Sequence, residues 1–191
     1  LLQCLQCTIL IIKEWTIIAF TEDEIQYFMG EALKEADAAQ ALGEVPIGAV
    51  IVADGGEIIG RGHNLREVNH DATAHAEMIA IHEACARRSS WRLTHASLFV
   101  TLEPCPMCAG AIINARLDAV YYGAPNPKAG SAGTLINLLD FPGYNHHVPT
   151  YPGVREGEAA GRMKAFFKRI RDELKAAKRA ARAAGTDDRQ G

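Results

Sequence analysis

The chain has 191 residues, 48% of them hydrophobic and 23% charged, and a formal net charge of −3. That length suits one domain with a sizeable core, and the composition is usual for a soluble globular protein. The charge excludes a global basic field that would by itself announce a nucleic-acid partner, so charge has to be read locally.

The first twelve residues, Leu1 to Ile12, are strongly apolar, but Lys13 and Glu14 interrupt the run before it is long enough to span a membrane. It has neither the basic start nor the small-residue cleavage site of a signal peptide. Residues 1–20 therefore read as an appended or upstream, poorly packed segment. Within it Cys4 and Cys7 form a C-x-x-C with no second pair to complete a metal site.

Residues 21–183 read as one folded domain. Thr21 and Glu24 have capping-box spacing, and Ile25, Phe28, Met29, Leu33 and Ala36 recur at helical spacing, which predicts a helix over 22–41 ending near Gly43. Pro46 to Val52 is apolar and β-branched and reads as a strand. Asp54-Gly55-Gly56 is a turn, and Glu57 to Gly62 is the returning strand of a hairpin. His63 to Asp71 reads as polar and irregular. A helix follows, capped by Thr73 or Asp71, with His75 and Glu77 in its first turn and Ala80, Ile81 and Ala84 on its apolar face. Ser97 to Leu102 reads as a buried strand. Pro104 and Pro106 then suit the first turn of a helix running from about 107 to 114. Ala119 to Tyr122 is a further strand, 126–133 a loop, 134–139 a short helix, and 141–152 irregular. A long helix runs from Glu156 to Ala183, and 184–191 reads as a disordered tail. Strands alternating with helices predict a layered α/β domain with a mixed sheet.

One constellation carries chemistry. His75, Cys105 and Cys108 supply one imidazole and two thiols, a set of three zinc ligands. A fourth protein ligand would close the site into a structural one. Its candidates are Cys85, His63, His70 and His82, but Cys85 falls on the apolar side of its helix and the histidines lie where solvated or hydrogen-bonded side chains are ordinary. An open fourth position instead admits a water whose pKa zinc lowers to about 7. Glu77, two residues from the imidazole, is spaced to take that proton and pass it on. The alternative for Glu77 alone is a solvated glutamate stabilised by the helix dipole. Ligand thiols must be reduced, which argues against a secreted disulfide framework and for the cytoplasm.

From about Thr21 to Ala177 the chain resembles the bacterial tRNA-specific adenosine deaminases of the cytidine-deaminase superfamily. Thr73-Ala-His-Ala-Glu77 and Thr101-Leu-Glu-Pro-Cys-Pro-Met-Cys-Ala-Gly110 resemble the two zinc motifs of the whole superfamily. Three other stretches resemble the tRNA enzymes in particular: Glu44-Val-Pro-Ile-Gly-Ala49, Gly62-His-Asn64 and Phe166-Phe-Lys-Arg-Ile-Arg171. The resemblance implies an α/β class fold, cytidine-deaminase-like, three-layer α/β/α with a five-stranded mixed sheet. It implies one Zn2+ per chain and a homodimer with the RNA site shared across the interface. The implied reaction is hydrolytic deamination of the wobble adenosine in a tRNA anticodon stem-loop. Zinc-activated hydroxide attacks C6, Glu77 protonates N1, and ammonia leaves to give inosine.

The same resemblance assigns substrate contacts. Asn64 hydrogen-bonds the purine, the Ala76 backbone N–H touches it, and Ile47 packs against it. Glu103 supports the zinc loop rather than doing chemistry. In the loop of Asn126, Pro127 and Lys128, Asn126 stands where the family commonly has an acidic residue. That change predicts more tolerant substrate binding. Asn145 and His146 resemble another substrate-contacting loop, with plain loop hydrogen bonding as the alternative.

The last helix crowds Arg162, Lys164, Lys168, Arg169, Arg171, Lys175, Lys178, Arg179 and Arg182 against only Asp172 and Glu173, the local charge that phosphate contacts need. A solvated helix face is the alternative. Phe166 and Phe167 read as core residues, with Phe167 also a stacking candidate for a flanking base. Two further function classes remain: a small-molecule nucleobase or nucleotide deaminase of guanine or cytosine type, and a non-catalytic zinc or RNA-binding module.

Overall fold

The computed structural model describes residues 20–183. The expectations for the leading apolar segment, for Cys4 and Cys7, and for the 184–191 tail lie outside the described residues. Ten elements follow in chain order: α1 (Glu22–Ala41), β1 (Gly48–Ala53), β2 (Ile58–His63), α2 (Arg66–Asn69), α3 (Ala76–Arg88), β3 (Ala96–Leu102), α4 (Pro106–Ala115), β4 (Ala119–Ala124), β5 (Thr150–Tyr151) and α5 (Glu156–Ala183). Among these residues the strands form one sheet of order β2-β1-β3-β4-β5. The β1 strand pairs antiparallel with β2 and β3, whereas β3–β4 and β4–β5 pair parallel, so the sheet is mixed.

Strand alternation sorts the core into two layers. Ala49 and Ile51 of β1, Leu98 and Val100 of β3, and Val120 and Tyr122 of β4 pack with Ala80 and Ala84 of α3 and Ile112 of α4. The residues between them, Val50, Val52, Phe99 and Tyr121, pack on the opposite face with Phe28, Met29 and Leu33 of α1 and Ala159 of α5. Period-two side chains on a sheet buried on both sides account for this division. The arrangement is the expected three-layer α/β/α sandwich, with α3 and α4 on one face and α1 and α5 on the other.

The α1 helix begins as its sequence predicts. Thr21 Oγ1 accepts from the Glu24 N–H and Glu24 Oε2 accepts from the Thr21 N–H, closing the capping box. Phe20, read with the leading segment, instead packs edge-on against Phe28, Phe99 and Tyr121.

Local expectations failed at four places. Residues 134–139 form no helix. Ala132 bridges to Asn137, the Gly133 N–H donates forward to the Ile136 carbonyl and the Leu138 N–H to the Ser131 carbonyl, bonds that a helix over 134–139 does not make. The stretch expected to be irregular after β2 contains the short helix α2. The segment expected to be irregular before α5 contains β5, whose two residues pair with Val120 and Tyr121. Finally, neither Thr73 nor Asp71 caps α3. Asp71 Oδ1 accepts from the N–H and hydroxyl of Thr73 in a local turn, and His75 occupies the cap position.

Close helix-to-strand packing aims α3 at the site. A side chain at Gly60 would strike the Ala80 carbonyl, and one at Gly62 would strike the Ala76 carbonyl. These two glycines let α3 lie directly on β2, with its N-terminal end beside the end of that strand. The β3–α4–β4 unit presents the second ligand segment at the carboxyl end of β3, a usual place for sites in sheets with parallel strands.

Candidate active site

His75 is the N-cap of α3 and Cys105 the N-cap of α4, with Pro106 at the first helical position. Cys108 lies on the first turn of α4 and is fully buried. Two helix starts from separate parts of the chain therefore converge, and helix N-termini favour the negative charge of thiolates. Cys105 Sγ lies 3.6 Å from His75 Nδ1 and 3.6 Å from Cys108 Sγ, and Cys108 Sγ lies 3.4 Å from His75 Nδ1. These three donor atoms could hold a metal ion. Cys85, His63, His70 and His82 do not join them. Cys85 is half-buried, its thiol facing the Trp91 carbonyl at 3.8 Å, and His63 Nδ1 pairs with Glu35 Oε2 at 3.0 Å.

The electrostatics are those of crowded acids. Hydrogen bonding from Cys108 and the nearby imidazole of His75 pull the Cys105 thiol down to about 4, against the effect of burial. The Cys108 thiol is pushed up by Cys105 and by burial. Pairing with Cys105 raises the His75 imidazole. Glu77 is 4% exposed, and burial raises its carboxyl above the ordinary range. A buried carboxyl with raised proton affinity beside three metal-donor atoms is equipped to carry a proton.

Around this centre Asn64 is 3% exposed. Its backbone N–H donates to the Ile47 carbonyl at 3.0 Å, and the next N–H, of Leu65, donates to Ala74 at 3.0 Å, one residue before His75. Asn64, Ile47 and the start of α3 are thus stitched together. Ala76 is buried, and as the first residue of its helix it has an N–H without an intrahelical acceptor.

The 126–134 loop is organised from Glu103, which is 2% exposed. Glu103 Oε2 accepts from the Asn126 N–H at 2.9 Å, and Oε1 accepts from Ala132 and Thr134 at 3.0 Å each. These bonds outweigh burial and hold its carboxyl below the ordinary range. Asn126 Oδ1 accepts from the N–H groups of Lys128 and Ala129 at 3.2 Å each, so the side chain shapes its own turn, while Pro127 and Lys128 are exposed.

Other predicted contacts stand farther off. Asn145 Oδ1 accepts from Arg116 Nη1 at 2.8 Å, just past the end of α4 remote from Cys105. Phe166 is buried whereas Phe167 is 42% exposed, which separates two neighbours that the sequence treats alike. Both belong to α5, as does Arg171, and α5 packs on the face of the sheet opposite α3 and α4. One residue was missed. Glu44 enters the sequence reading only as the first residue of the Glu44–Ala49 stretch, yet its carboxylate is 1% exposed and bonded to Asn64. A lone glutamate directly before the apolar run from Val45 to Val52 is the available signal.

Comparison with known proteins places this site in a family. The model of the MafB19-like deaminases matches residues 22–171. A tRNA-specific adenosine deaminase of Bacillus subtilis (strain 168) is 52% identical over 159 residues, covering 83% of this chain and 97% of that protein. A structure from studies of A-to-I editing by tRNA:A34 deaminases at the wobble position of transfer RNA is 44% identical with a TM-score of 0.68, covering 71% of this chain and 98% of that one. A guanine deaminase of Bacillus subtilis is 36% identical with a TM-score of 0.52, covering 69% of this chain and 85% of that one. The chain belongs to the MafB19-like deaminases, and among them to the family of tRNA-specific adenosine deaminases.

Proposed function

We propose that this protein is a zinc-dependent deaminase that hydrolyses adenosine to inosine at the wobble position of a tRNA anticodon. The observation that carries the reading is the meeting of His75, Cys105, Cys108 and buried Glu77 in a chain 52% identical to a tRNA-specific adenosine deaminase. The donor set suits zinc. With Zn–S of about 2.3 Å and Zn–N of about 2.0 Å, tetrahedral ligand atoms stand about 3.8 Å (S to S) and about 3.5 Å (S to N) apart. The separations here are 3.6 Å for S to S and 3.4 and 3.6 Å for S to N. Three protein donors leave one position open, as catalytic sites do.

When bound, zinc supplies a water that ionises near neutral pH. Glu77 takes the proton released by that water and delivers it to N1 of the purine. Its burial favours the protonated form in the shuttle, and its place in the first turn of α3 keeps it beside the metal donors. Asn64 and the free Ala76 N–H orient the base, and Ile47 packs against it. Asn126, Pro127, Lys128, Asn145, Phe167 and Arg171 are proposed RNA contacts. The target nucleotide must be splayed out of its stack, which a single-stranded anticodon loop allows at low cost.

The basic face of α5 supports an RNA partner. Lys164, Lys168, Arg171, Lys175, Lys178 and Arg182 recur at alternating steps of four and three, which aligns them on one face over about 27 Å. All six are exposed, and among the described residues only Lys168 of these is in an ion pair, with Asp172. A homodimer and a cytoplasmic location complete the proposal. Among the described residues no helix is long and apolar enough to cross a membrane.

The deciding measurement is inosine formation by the zinc-loaded protein on an adenosine-bearing anticodon stem-loop, beside free adenosine, guanine and cytidine. Turnover of the stem-loop alone is expected. Preference for a free base would establish the small-molecule alternative. The Asn126 expectation has its own arm: Asn126→Asp should lower turnover of a DNA hairpin relative to the RNA hairpin, and equal ratios in the two proteins would sink it.

A further inference from the structure

Glu44 is a carboxylate with 1% exposure, placed between α1 and β1. A buried carboxylate is costly unless its oxygens find donors. Here Oε1 accepts from the backbone N–H groups of Glu67 at 2.7 Å and Val68 at 2.8 Å, and Oε2 accepts from Asn64 Nδ2 at 2.8 Å. The two backbone donors belong to the first turn of α2, whose own N-cap, Leu65, has no side-chain oxygen to offer. Glu44 therefore caps α2 from 23 residues away and grips Asn64 with its other oxygen.

The polarity of that grip is fixed. Carboxylate oxygens only accept, so the Asn64 NH2 must face Glu44 and its Oδ1 must point elsewhere. No protein donor reaches Asn64 Oδ1 among the described residues, yet no buried side-chain polar atom there lacks a partner, so this oxygen keeps contact with the outside. The neighbouring backbone is bonded to Ile47 on one side and to Ala74, beside His75, on the other. We propose that Glu44 is a positioning residue that orients the Asn64 amide, committing Oδ1 to the substrate as a hydrogen-bond acceptor. The substrate group facing it then carries an O–H or N–H donor. This rests on the reading of Asn64 as a substrate contact.

Exchange of the two polar groups tests the link. In Glu44→Gln the side-chain Oε1 stays committed to the α2 N–H groups, and Nε2 faces Asn64. Two NH2 groups then oppose each other, and relief requires the Asn64 amide to flip and withdraw its acceptor. In Glu44→Gln with Asn64→Asp, the amide introduced at position 44 donates to one oxygen of the carboxylate introduced at position 64. The other oxygen resumes the acceptor role, with one buried negative charge as before.

Turnover of the adenosine-bearing stem-loop is measured for Glu44→Gln, Asn64→Asp, Asn64→Ala and the double exchange, with melting temperature and zinc content beside it. Each single variant should lose at least tenfold in kcat/KM. Glu44→Gln should retain zinc and melt within a few degrees of the parent, because the α2 cap survives. The double exchange should recover at least fivefold over both of its single variants. If Asn64→Ala is impaired but the double exchange recovers nothing, the proposal falls and the substrate role of Asn64 stands. If Asn64→Ala turns over normally, that role and the proposal fall together.

Discussion

Gly62 lies so close to Ala76 that a side chain on Gly62 would strike the Ala76 carbonyl. Ala76 separates His75, one of the three grouped donors, from the buried Glu77, the proposed proton carrier. The spacing between β2 and α3 therefore sets where both functional groups stand. Gly62→Val should push the start of α3 off the sheet. Overpacking of this kind costs about 1–3 kcal/mol. Melting temperature should fall by several degrees and zinc content should drop below one per chain. A variant that keeps full zinc and full turnover would show that the contact does not aim the helix.

Glu77→Gln keeps the shape of the site and removes the proposed proton carrier. Loss of general acid–base catalysis is worth about 10²- to 10⁴-fold in rate. Inosine formation should fall within that range while zinc stays near one per chain. Cys105→Ser or Cys108→Ser should instead lose the metal, and Cys85→Ser should match the parent in both. Chelation followed by zinc return should abolish and restore turnover in the parent. Full turnover by Glu77→Gln would overturn the assigned role.

Acid stability should depend on Glu31. Its side chain is 9% exposed and pairs with Lys34 and Arg61. Lys34 first, then Arg61, hold its carboxyl below the ordinary range of about 4.5. A depressed folded-state pKa means the pairing stabilises fully above the ordinary value and fades as pH falls through the lower folded value. Glu31→Gln should cost about 1–2 kcal/mol at pH 7. The difference in unfolding free energy from the parent should shrink below pH 4.5 and vanish in stronger acid. A constant difference across pH 3–7 would assign the loss to packing.

The cationic stripe on α5 makes a salt-dependent prediction. Each phosphate contact contributes about 0.7–0.9 to the slope of log affinity against log salt. Replacing Lys175, Lys178 and Arg182 by alanine should weaken stem-loop binding and flatten that slope by about 2–3. The same replacement should leave the melting temperature of the body nearly unchanged, since these side chains are exposed. An unchanged slope would make the stripe a solvated face.

Much of this protein was legible in local sequence. The α1 start follows from Thr21 and Glu24, which are three residues apart, and the sheet faces follow from alternation within each strand. The grouping of His75, Cys105 and Cys108 follows the expectation from residue type and spacing, with Glu77 buried in the first turn of α3. Tertiary structure decided what depends on bonds between distant residues. Glu44 builds α2 by supplying acceptors that Leu65 lacks, and the Ala132–Asn137 bridge with the Leu138 N–H on the Ser131 carbonyl keeps 134–139 out of a helix. Pairing with β4 turns Thr150 and Tyr151 into a strand, and packing buries Phe166 while leaving Phe167 exposed. Local propensity is worth tenths of a kcal/mol per residue, whereas a buried carboxylate left without donors costs several kcal/mol. Glu44 and Glu103 therefore organise the segments around them, and only the folded chain reveals which backbone groups they claim.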